Sequence, residues 1–196
     1  MSRSLKIAVA DDERDMRDYF QKILPLLGHQ VVAVAETGKE LVDKCGSTQP
    51  DLVITDIKMP DMDGIDAAAR IYKQYAVPVI LVSAYHDPEF IRRAEADHIL
   101  AYLVKPIKQA DLEPAIAIAM RRFEQFRALR KETSDLKQAL EDRKVIEKAK
   151  GILMKKAGLD EHDAFRRLQK LASDKNRKLI DIAQTILTAE EAFGTS

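Results

Sequence analysis

The chain has 196 residues, of which 46% are hydrophobic and 33% are charged, so its composition supports packed domains and excludes wholesale disorder. The only cysteine, Cys45, cannot form an intramolecular disulfide, and the absence of a long apolar run and of a signal-peptide pattern predicts a cytoplasmic protein that has no membrane partner. The formal charges cancel overall, but residues 1–120 hold 14 basic against 19 acidic side chains and residues 121–196 hold 18 against 13.

Short strands and helices alternate through the first half. Nearly unbroken apolar runs, rich in β-branched residues, predict strands over 6–10, 30–36, 52–55, 78–84 and 100–105. Helical patterns separate them over 13–27, 38–46, 65–75 and 88–96. This alternation predicts an α/β fold with a five-stranded parallel, doubly wound sheet.

Chemically active side chains follow the ends of four of these strands. Because ligands of such sheets bind beyond the carboxyl ends of the strands, we expect these side chains to meet. Several carboxylates there would repel each other unless a cation lay among them, and oxygen ligands suit Mg²⁺. A lysine and a hydroxyl would complement a phosphoryl group. Taken singly, an Asp or Ser at such a place is as easily a helix cap. The residues are Asp11, Asp12, Glu13, Asp56, Ser83 and Lys105.

The segments AVADDE, VITDIKMPDMDG, VSAY and YLVKPI resemble, in this order, the motifs of the response-regulator receiver domain, over about residues 4–122. The resemblance implies a flavodoxin-like sheet. It also implies that Asp56 accepts a phosphoryl group from a phosphohistidine of a sensor histidine kinase, so that the protein is a phosphoacceptor rather than an enzyme.

The same resemblance implies roles for the other residues at this edge. Mg²⁺ would be bound by Asp12, Asp56 and the backbone carbonyl of Lys58, and by Asp11 through a water molecule. Lys105 would pair with the phosphoryl oxygens, and the Lys105–Pro106 peptide would be cis. Ser83 and Tyr102 would act as the family's switch pair, in which the hydroxyl moves towards the phosphoryl group and the ring turns inward.

A long helix is predicted next, because neither glycine nor proline occurs between Ala115 and Lys150. Part of it shows the 4-3-4-3 spacing of a coiled coil, which predicts a helical linker over 123–142 and a parallel dimer. The stripe is short and interrupted, so packing against the first domain is the alternative. The stripe consists of Leu129, Thr133, Leu136, Leu140 and Arg143.

The last third predicts a small bundle of three amphipathic helices. The first ends with RKVIEKAKGILMKKAG (143–158), the second covers about 161–173 with Ala164, Phe165 and Leu168 on its apolar side, and the third covers about 178–191. Gly151 inside the first helix costs about 1 kcal/mol of helix propensity, which predicts that another backbone packs closely against it. Gly158 is expected to end that helix, and Asp160 to cap the next.

Two helices joined by a short turn also occur in DNA-binding proteins. However, AKGILM (149–154), DAF with Leu168 and Ala172, and NRKLIDIA (176–183) closely resemble the ANTAR domain, over about residues 135–190. The resemblance implies an RNA-binding module that recognises paired RNA hairpins and prevents transcription termination. We place this domain at 143–191.

The sequence analysis therefore predicts a response regulator whose phosphorylation at Asp56 controls an RNA-binding antiterminator through a phosphorylation-dependent homodimer. A phosphorylation-controlled DNA-binding transcription factor and a protein-interaction adaptor are the alternatives. The basic surface would supply the RNA contacts, drawn from Arg143, Lys144, Lys148, Lys150, Lys155, Arg166, Arg167, Arg177 and Lys178.

Overall fold

The computed structural model describes residues 4–84 and 99–193. The chain divides into two compact units, and the boundary between them falls between Arg127 and Ala128. Tyr85 of the VSAY motif and the helix predicted over 88–96 lie outside the described residues.

The first unit contains one parallel sheet of five strands. They are β1 (Lys6–Ala10), β2 (Gln30–Ala35), β3 (Leu52–Asp56), β4 (Val79–Ser83) and β5 (Ile99–Val104), and they lie in the order β2-β1-β3-β4-β5. Every residue of β3 and β4 is buried, which is why these segments read as unbroken apolar runs. The predicted doubly wound sheet is confirmed, with strand ends that differ by at most one residue.

Helices cover both faces of this sheet, as its apolar runs require. One face packs against α1 (Arg14–Leu26) and the beginning of α4 (Gln109–Ala157), and the other against α2 (Gly38–Thr48) and α3 (Gly64–Tyr75). On the first face Phe20 and Leu24 meet Leu112 and Ile116, all of which are buried. The two cores fix the strand ends in space, and the side chains that follow those ends are thereby fixed as well.

Helix α2 is longer than predicted, because Gly46 does not end it. The helix continues to Thr48, and Gln49 ends it in the left-handed conformation with a φ of 47°. A Cβ atom at Gly46 would lie 2.8 Å from the Tyr75 hydroxyl, so close packing with α3 accounts for this glycine. Cys45 is fully buried in the same helix, and burial raises the pKa of its thiol to about 12.

Helix α4 begins earlier than predicted and ends, as predicted, just before Gly158. It begins at Gln109, includes Pro114 within its first two turns, and continues through Gly151 to Ala157. All residues from Lys131 to Leu140 are exposed.

The second unit is the predicted bundle of three helices. The end of α4 packs with α5 (Glu161–Asp174) and α6 (Leu179–Phe193) around Ala149, Leu168, Ile182 and Ala183. Gly158 follows α4 with a φ of 64°, and the Asp160 side chain caps α5 by accepting a hydrogen bond from the backbone N–H of Asp163. These two predictions are confirmed.

Two details of the bundle prediction are wrong. A Cβ atom built at Gly151 meets no heavy atom within 4 Å in the described part of the chain, so no backbone packs against this glycine. It borders instead a surface hollow of about 390 Å³ between α4 and α6. Phe165 is 38% exposed rather than packed with Ala164 and Leu168, because it lies at the edge of the apolar face of α5. No helix in residues 4–84 and 99–193 has the length and apolarity to cross a membrane.

Candidate functional site

An acidic cluster follows β1 at the carboxyl edge of the sheet. Asp11, Asp12 and Glu13 each offer a carboxylate oxygen, and these oxygens lie within 4.8 Å of one another. Asp11 is fully buried, whereas Asp12 and Glu13 are exposed. The cluster therefore places one carboxylate inside the edge of the sheet and two at its mouth.

Lys105 joins this cluster to the end of β3. Its Nζ lies 3.0 Å from Asp11 Oδ2, 3.0 Å from Glu13 Oε1 and 3.2 Å from Asp56 Oδ1. The lysine follows β5, its side chain is only 13% exposed, and the Lys105–Pro106 peptide is cis as predicted. One ammonium group thus contacts carboxylates from two different strand ends.

Asp56 is the last residue of β3 and is buried. Its Oδ2 accepts a hydrogen bond of 2.8 Å from the backbone N–H of Lys58. Burial raises the pKa of Asp56 although the nearby Lys105 charge opposes this, and burial likewise raises the pKa of Asp11. Burial alone would lower the pKa of Lys105, but its bonds to Glu13 and Asp11 and the Asp56 charge raise it. The ammonium group therefore stays charged.

The donor set of this edge fits a hard divalent cation. Three carboxylates contact the Lys105 ammonium group and the Asp12 carboxylate lies near two of them, which leaves an excess of negative charge. Asp11 Oδ2 is buried, and its partner among the described residues is the Lys105 ammonium group, 3.0 Å away. All available ligand atoms are oxygens, the kind that Mg²⁺ prefers.

The remaining predicted residues lie around this cluster. Ser83 is the buried last residue of β4, and its carbonyl accepts a hydrogen bond from the backbone N–H of Lys105 at 2.8 Å. Tyr102 is half-buried on β5, and the Lys58 side chain is exposed. The static arrangement places both residues of the predicted switch on neighbouring strands, and their roles stay predictions.

Arg17 supports the acidic cluster, and sequence reasoning missed it. From α1 its Nη1 donates hydrogen bonds of 2.9 Å to the backbone carbonyls of both Asp11 and Asp12, and its Nη2 pairs with Glu36. The side chain is only 11% exposed. A guanidinium has enough donors to bind several oxygens at once, so Arg17 fixes the loop that carries the acidic pair. No sequence motif marks this role, because two of its three partners are backbone carbonyls.

Gly64 allows α3 to begin directly against the phosphoacceptor candidate. A Cβ atom at Gly64 would lie 1.9 Å from the carbonyl oxygen of Asp56, which no side chain can occupy. The Gly64 N–H donates to the carbonyl of Ile57 at 2.9 Å, and the Asp63 side chain caps the helix. The glycine of the MPDMDG segment thus serves close backbone packing beside Asp56.

The second unit presents most of its predicted RNA contacts to solvent. The exposed residues are Arg143, Lys144, Lys148, Lys155, Arg166, Arg167, Arg177 and Lys178. They occur on α4, on α5 and in the turn that precedes α6, and no cluster comparable to the acidic edge forms among them. The exposed ring of Phe165 lies next to Arg166 in sequence and adds an aromatic surface that the sequence analysis had placed in the core.

Lys150 is the exception among these residues. It is buried, and its Nζ lies 2.6 Å from Glu147 and 2.8 Å from Glu161. Hydrogen bonds to these carboxylates raise its pKa. Because the ammonium group already joins α4 to the start of α5, its geometry opposes the predicted role as an RNA contact.

Comparisons with known proteins agree with this geometry. The family model of the response regulator receiver domain matches residues 7–117, and that of the ANTAR domain matches residues 134–187. The chain therefore belongs to the response regulators and carries a receiver domain followed by an ANTAR domain.

A similar curated protein is the transcriptional regulatory protein PdtaR of Mycobacterium tuberculosis. It is 38% identical over 190 residues, which cover 97% of this chain and 91% of that protein. An uncharacterized response regulatory protein of Staphylococcus epidermidis is 34% identical over 120 residues, or 60% of this chain and 47% of that protein.

Solved structures match the first unit. The signal receiver domain of a modulated diguanylate cyclase from Desulfovibrio desulfuricans has a TM-score of 0.59 and 26% identity, covering 63% of this chain and 98% of that one. The response regulator domain of CheB from Thermotoga maritima has a TM-score of 0.56 and 28% identity, covering 61% and 98%.

Proposed function

We propose that this protein is a phosphorylation-controlled, RNA-binding transcription antiterminator of the cytoplasm. A sensor histidine kinase phosphorylates Asp56, and the ANTAR domain binds paired RNA hairpins in response. The observation that carries the proposal is the buried contact between Asp56 and Lys105 in a chain that also matches the ANTAR family. We propose domain limits of 4–122 for the receiver, 123–142 for the helical linker and 143–191 for the RNA-binding domain.

Phosphoryl transfer at this edge follows from the placement of its charges. A carboxylate oxygen of Asp56 attacks the phosphorus of the phosphohistidine, the P–N bond breaks as the O–P bond forms, and the electron pair returns to the imidazole nitrogen. Lys105 already lies beside Asp56, where its ammonium group can exchange carboxylate contacts for the incoming phosphoryl oxygens. Ser83 and Tyr102 then change position as the new negative charge attracts the hydroxyl.

A divalent cation completes the proposed site. Asp12, Asp56 and the backbone carbonyl of Lys58 would hold Mg²⁺, with Asp11 acting through water. When bound, the ion neutralises charge on the transferring group. Arg17 keeps the backbone of Asp11 and Asp12 in place, and the excess of carboxylates over the single ammonium group of Lys105 supports the need for a further cation.

The proposed output is a dimer of the protein on two hairpins. Leu129, Leu136 and Leu140 are 61%, 61% and 58% exposed, and their spacing along α4 suits the seam of a parallel coiled coil with a second copy. Two RNA-binding domains held together gain effective concentration, so a dimer holds paired hairpins that a monomer releases. Phosphate contacts from the exposed basic residues make this binding salt-dependent.

DNA binding is a second candidate, because Arg166, Arg167 and Lys170 are exposed on one side of α5. The deciding experiment is a gel-shift titration with a two-hairpin RNA and with a DNA duplex of matched length. Each is tested with the protein unphosphorylated and after treatment with a small phosphodonor and Mg²⁺. Tighter RNA binding after phosphorylation, and weaker DNA binding in both states, is the expected result.

Two variants make the titration specific. Asp56→Ala removes the phosphoacceptor and should abolish the gain in RNA affinity, whereas Asp43→Ala removes an exposed carboxylate of α2 and should preserve it. Sedimentation of the same samples measures the predicted dimer. If the protein preferred DNA, the proposed RNA-binding function would be wrong and DNA binding would take its place. If the phosphorylated protein stayed monomeric and bound RNA no better, the proposed phosphorylation mechanism would be contradicted.

A further inference from the structure

A hollow of about 460 Å³ lies on the surface of the second unit, and no role has been assigned to it so far. Its size falls within the range of small-ligand sites, about 300–1,000 Å³. Leu153 and Ala157 near the end of α4, together with Leu159 of the following turn, form its apolar part. The opposite side is one face of α5, which contributes Asp163, Arg166, Arg167 and Lys170.

The charges around this hollow are not used by the fold. In the part of the chain that the structure describes, none of the four charged side chains forms an ion pair or a side-chain hydrogen bond. Lys150, on the preceding helix, shows the contrast, since two carboxylates hold its ammonium group. Three unpaired cations against one carboxylate leave the rim positive and available to an anionic ligand.

An apolar floor inside a cationic rim has the chemistry that an unpaired nucleotide requires. A base presents a flat face with little polarity, which Leu153 and Leu159 can cover, and its phosphates carry the negative charge that the rim lacks. Guanidinium groups also stack on bases, so Arg166 and Arg167 can contribute where no tryptophan or tyrosine is present. A base inside a duplex could not enter, because its faces are covered by its neighbours.

Asp163 gives the hollow a means of selecting the base. A carboxylate only accepts hydrogen bonds, and the edges of different bases present N–H donors in different patterns. Asp163 is exposed at the rim, where an acceptor can meet the polar edge of a base whose face lies on the apolar floor. This carboxylate would disfavour simple phosphate binding, so its presence in a basic rim favours a ligand that has donors.

We propose that this hollow receives one unpaired base from an RNA hairpin loop, with its flanking phosphates on Arg166, Arg167 and Lys170 and its polar edge facing Asp163. The proposal rests on the proposed RNA binding and specifies where the sequence of the RNA is read. The proposal also gives α5 a different role from the other basic surfaces of the unit: α5 contacts a base, whereas the other surfaces contact phosphates alone.

The test uses the full-length phosphorylated protein and a pool of paired RNA hairpins that share one stem sequence and carry randomised loops. Ala157→Phe fills the hollow from an exposed position, and Ala189→Phe adds the same ring to an exposed position of α6 outside it. Because stacking of one base contributes about 1–3 kcal/mol, Ala157→Phe should weaken binding about tenfold or more. Ala189→Phe should bind like the wild type.

Sequencing of the bound RNA supplies a second readout. The wild type should enrich one base at one loop position, and Asp163→Asn should change that preference, because an amide donates as well as accepts. If Ala157→Phe bound RNA as tightly as the wild type, the proposal that the hollow receives a base would be wrong, while the proposed RNA binding would stand. A wild type that binds no member of the pool would remove the proposed function and this inference together. If circular dichroism shows that Ala157→Phe is unfolded, Asp163→Asn decides: a changed loop preference supports the hollow and an unchanged one overturns it.

Discussion

The two units of this chain use their charges in opposite ways. In the first unit Asp11 and Asp56 are buried, and both contact the half-buried Lys105 at the edge of a sheet. In the second unit nearly all predicted basic residues are exposed and spread over α4, α5 and the turn before α6. Burying a charge is costly unless it has a partner, so the buried set is constrained by the fold, whereas exposed charges can be distributed with little effect on stability. The comparison teaches that a buried charged site is specified by the fold, and a surface site by its ligand.

The largest expected effect comes from the glycine that adjoins the buried site. In Gly64→Ala the new Cβ would overlap the Asp56 carbonyl, whose distance of 1.9 Å forces the backbone to move. We expect the free energy of unfolding of the first unit to fall by about 3 kcal/mol and phosphorylation of Asp56 to be lost. Urea denaturation and phosphodonor labelling measure the two effects.

The matched control for this change is Gly46→Ala. There the new Cβ would meet the hydroxyl end of Tyr75, which can turn aside, at 2.8 Å. Alanine also favours the helix by about 1 kcal/mol, so the net stability should change little. If Gly64→Ala were equally mild, the tight construction of the buried site would be contradicted.

Arg17→Ala tests whether the acidic loop needs its guanidinium support. The change removes the hydrogen bonds to the carbonyls of Asp11 and Asp12 and the pair with Glu36. We expect phosphorylation at limiting Mg²⁺ to slow about tenfold and to recover partly at saturating Mg²⁺, because hydrogen bonds to charged groups contribute about 1.5–3 kcal/mol each. Arg14→Ala removes an exposed arginine of the same helix and should behave as wild type. A rate loss independent of Mg²⁺ would indicate a general folding defect instead.

Gly151→Ala tests the packing of the second unit. Nothing in the described chain lies within 4 Å of the added Cβ, and the residue is helical, so the variant should be more stable by about 1 kcal/mol. Gly158→Ala provides the opposite control, because a φ of 64° strains any residue with a Cβ. Thermal unfolding followed by helix signal compares both. Destabilisation by Gly151→Ala would show that another backbone does approach this position.

The smallest expected effect concerns Cys45. Since burial raises the pKa of its thiol to about 12, the reactive thiolate is nearly absent at pH 8, and the side chain is inaccessible as well. We expect no labelling by a thiol reagent under native conditions and one equivalent in denaturant. Rapid native labelling would mean that α2 opens locally.

The sequence predicted the sheet and the meeting of its acidic edge because apolar runs and strand ends constrain each other. It failed at single residues whose environment depends on tertiary packing. From the sequence, Gly46 and Gly151 could each be a helix breaker or a packing site. The structure shows that Gly46 packs against Tyr75, whereas a Cβ atom at Gly151 would meet no heavy atom within 4 Å among the described residues. In the sequence, Lys150 looks like its exposed basic neighbours. Only the fold shows that its ammonium group pairs with Glu161. Arg17 was missed because its partners are backbone carbonyls, which leave no trace in a sequence motif.

Because the only cysteine is buried, the chain is well suited to site-directed labelling of introduced thiols. A thiol introduced at the exposed Lys137 of α4 would be the sole reactive group, so a spin label could be attached without removing any native residue. Equivalent residues lie side by side in a parallel helix pair and far apart in most antiparallel pairings. The distance between two labels, measured before and after phosphorylation, would therefore report the orientation of the two copies directly.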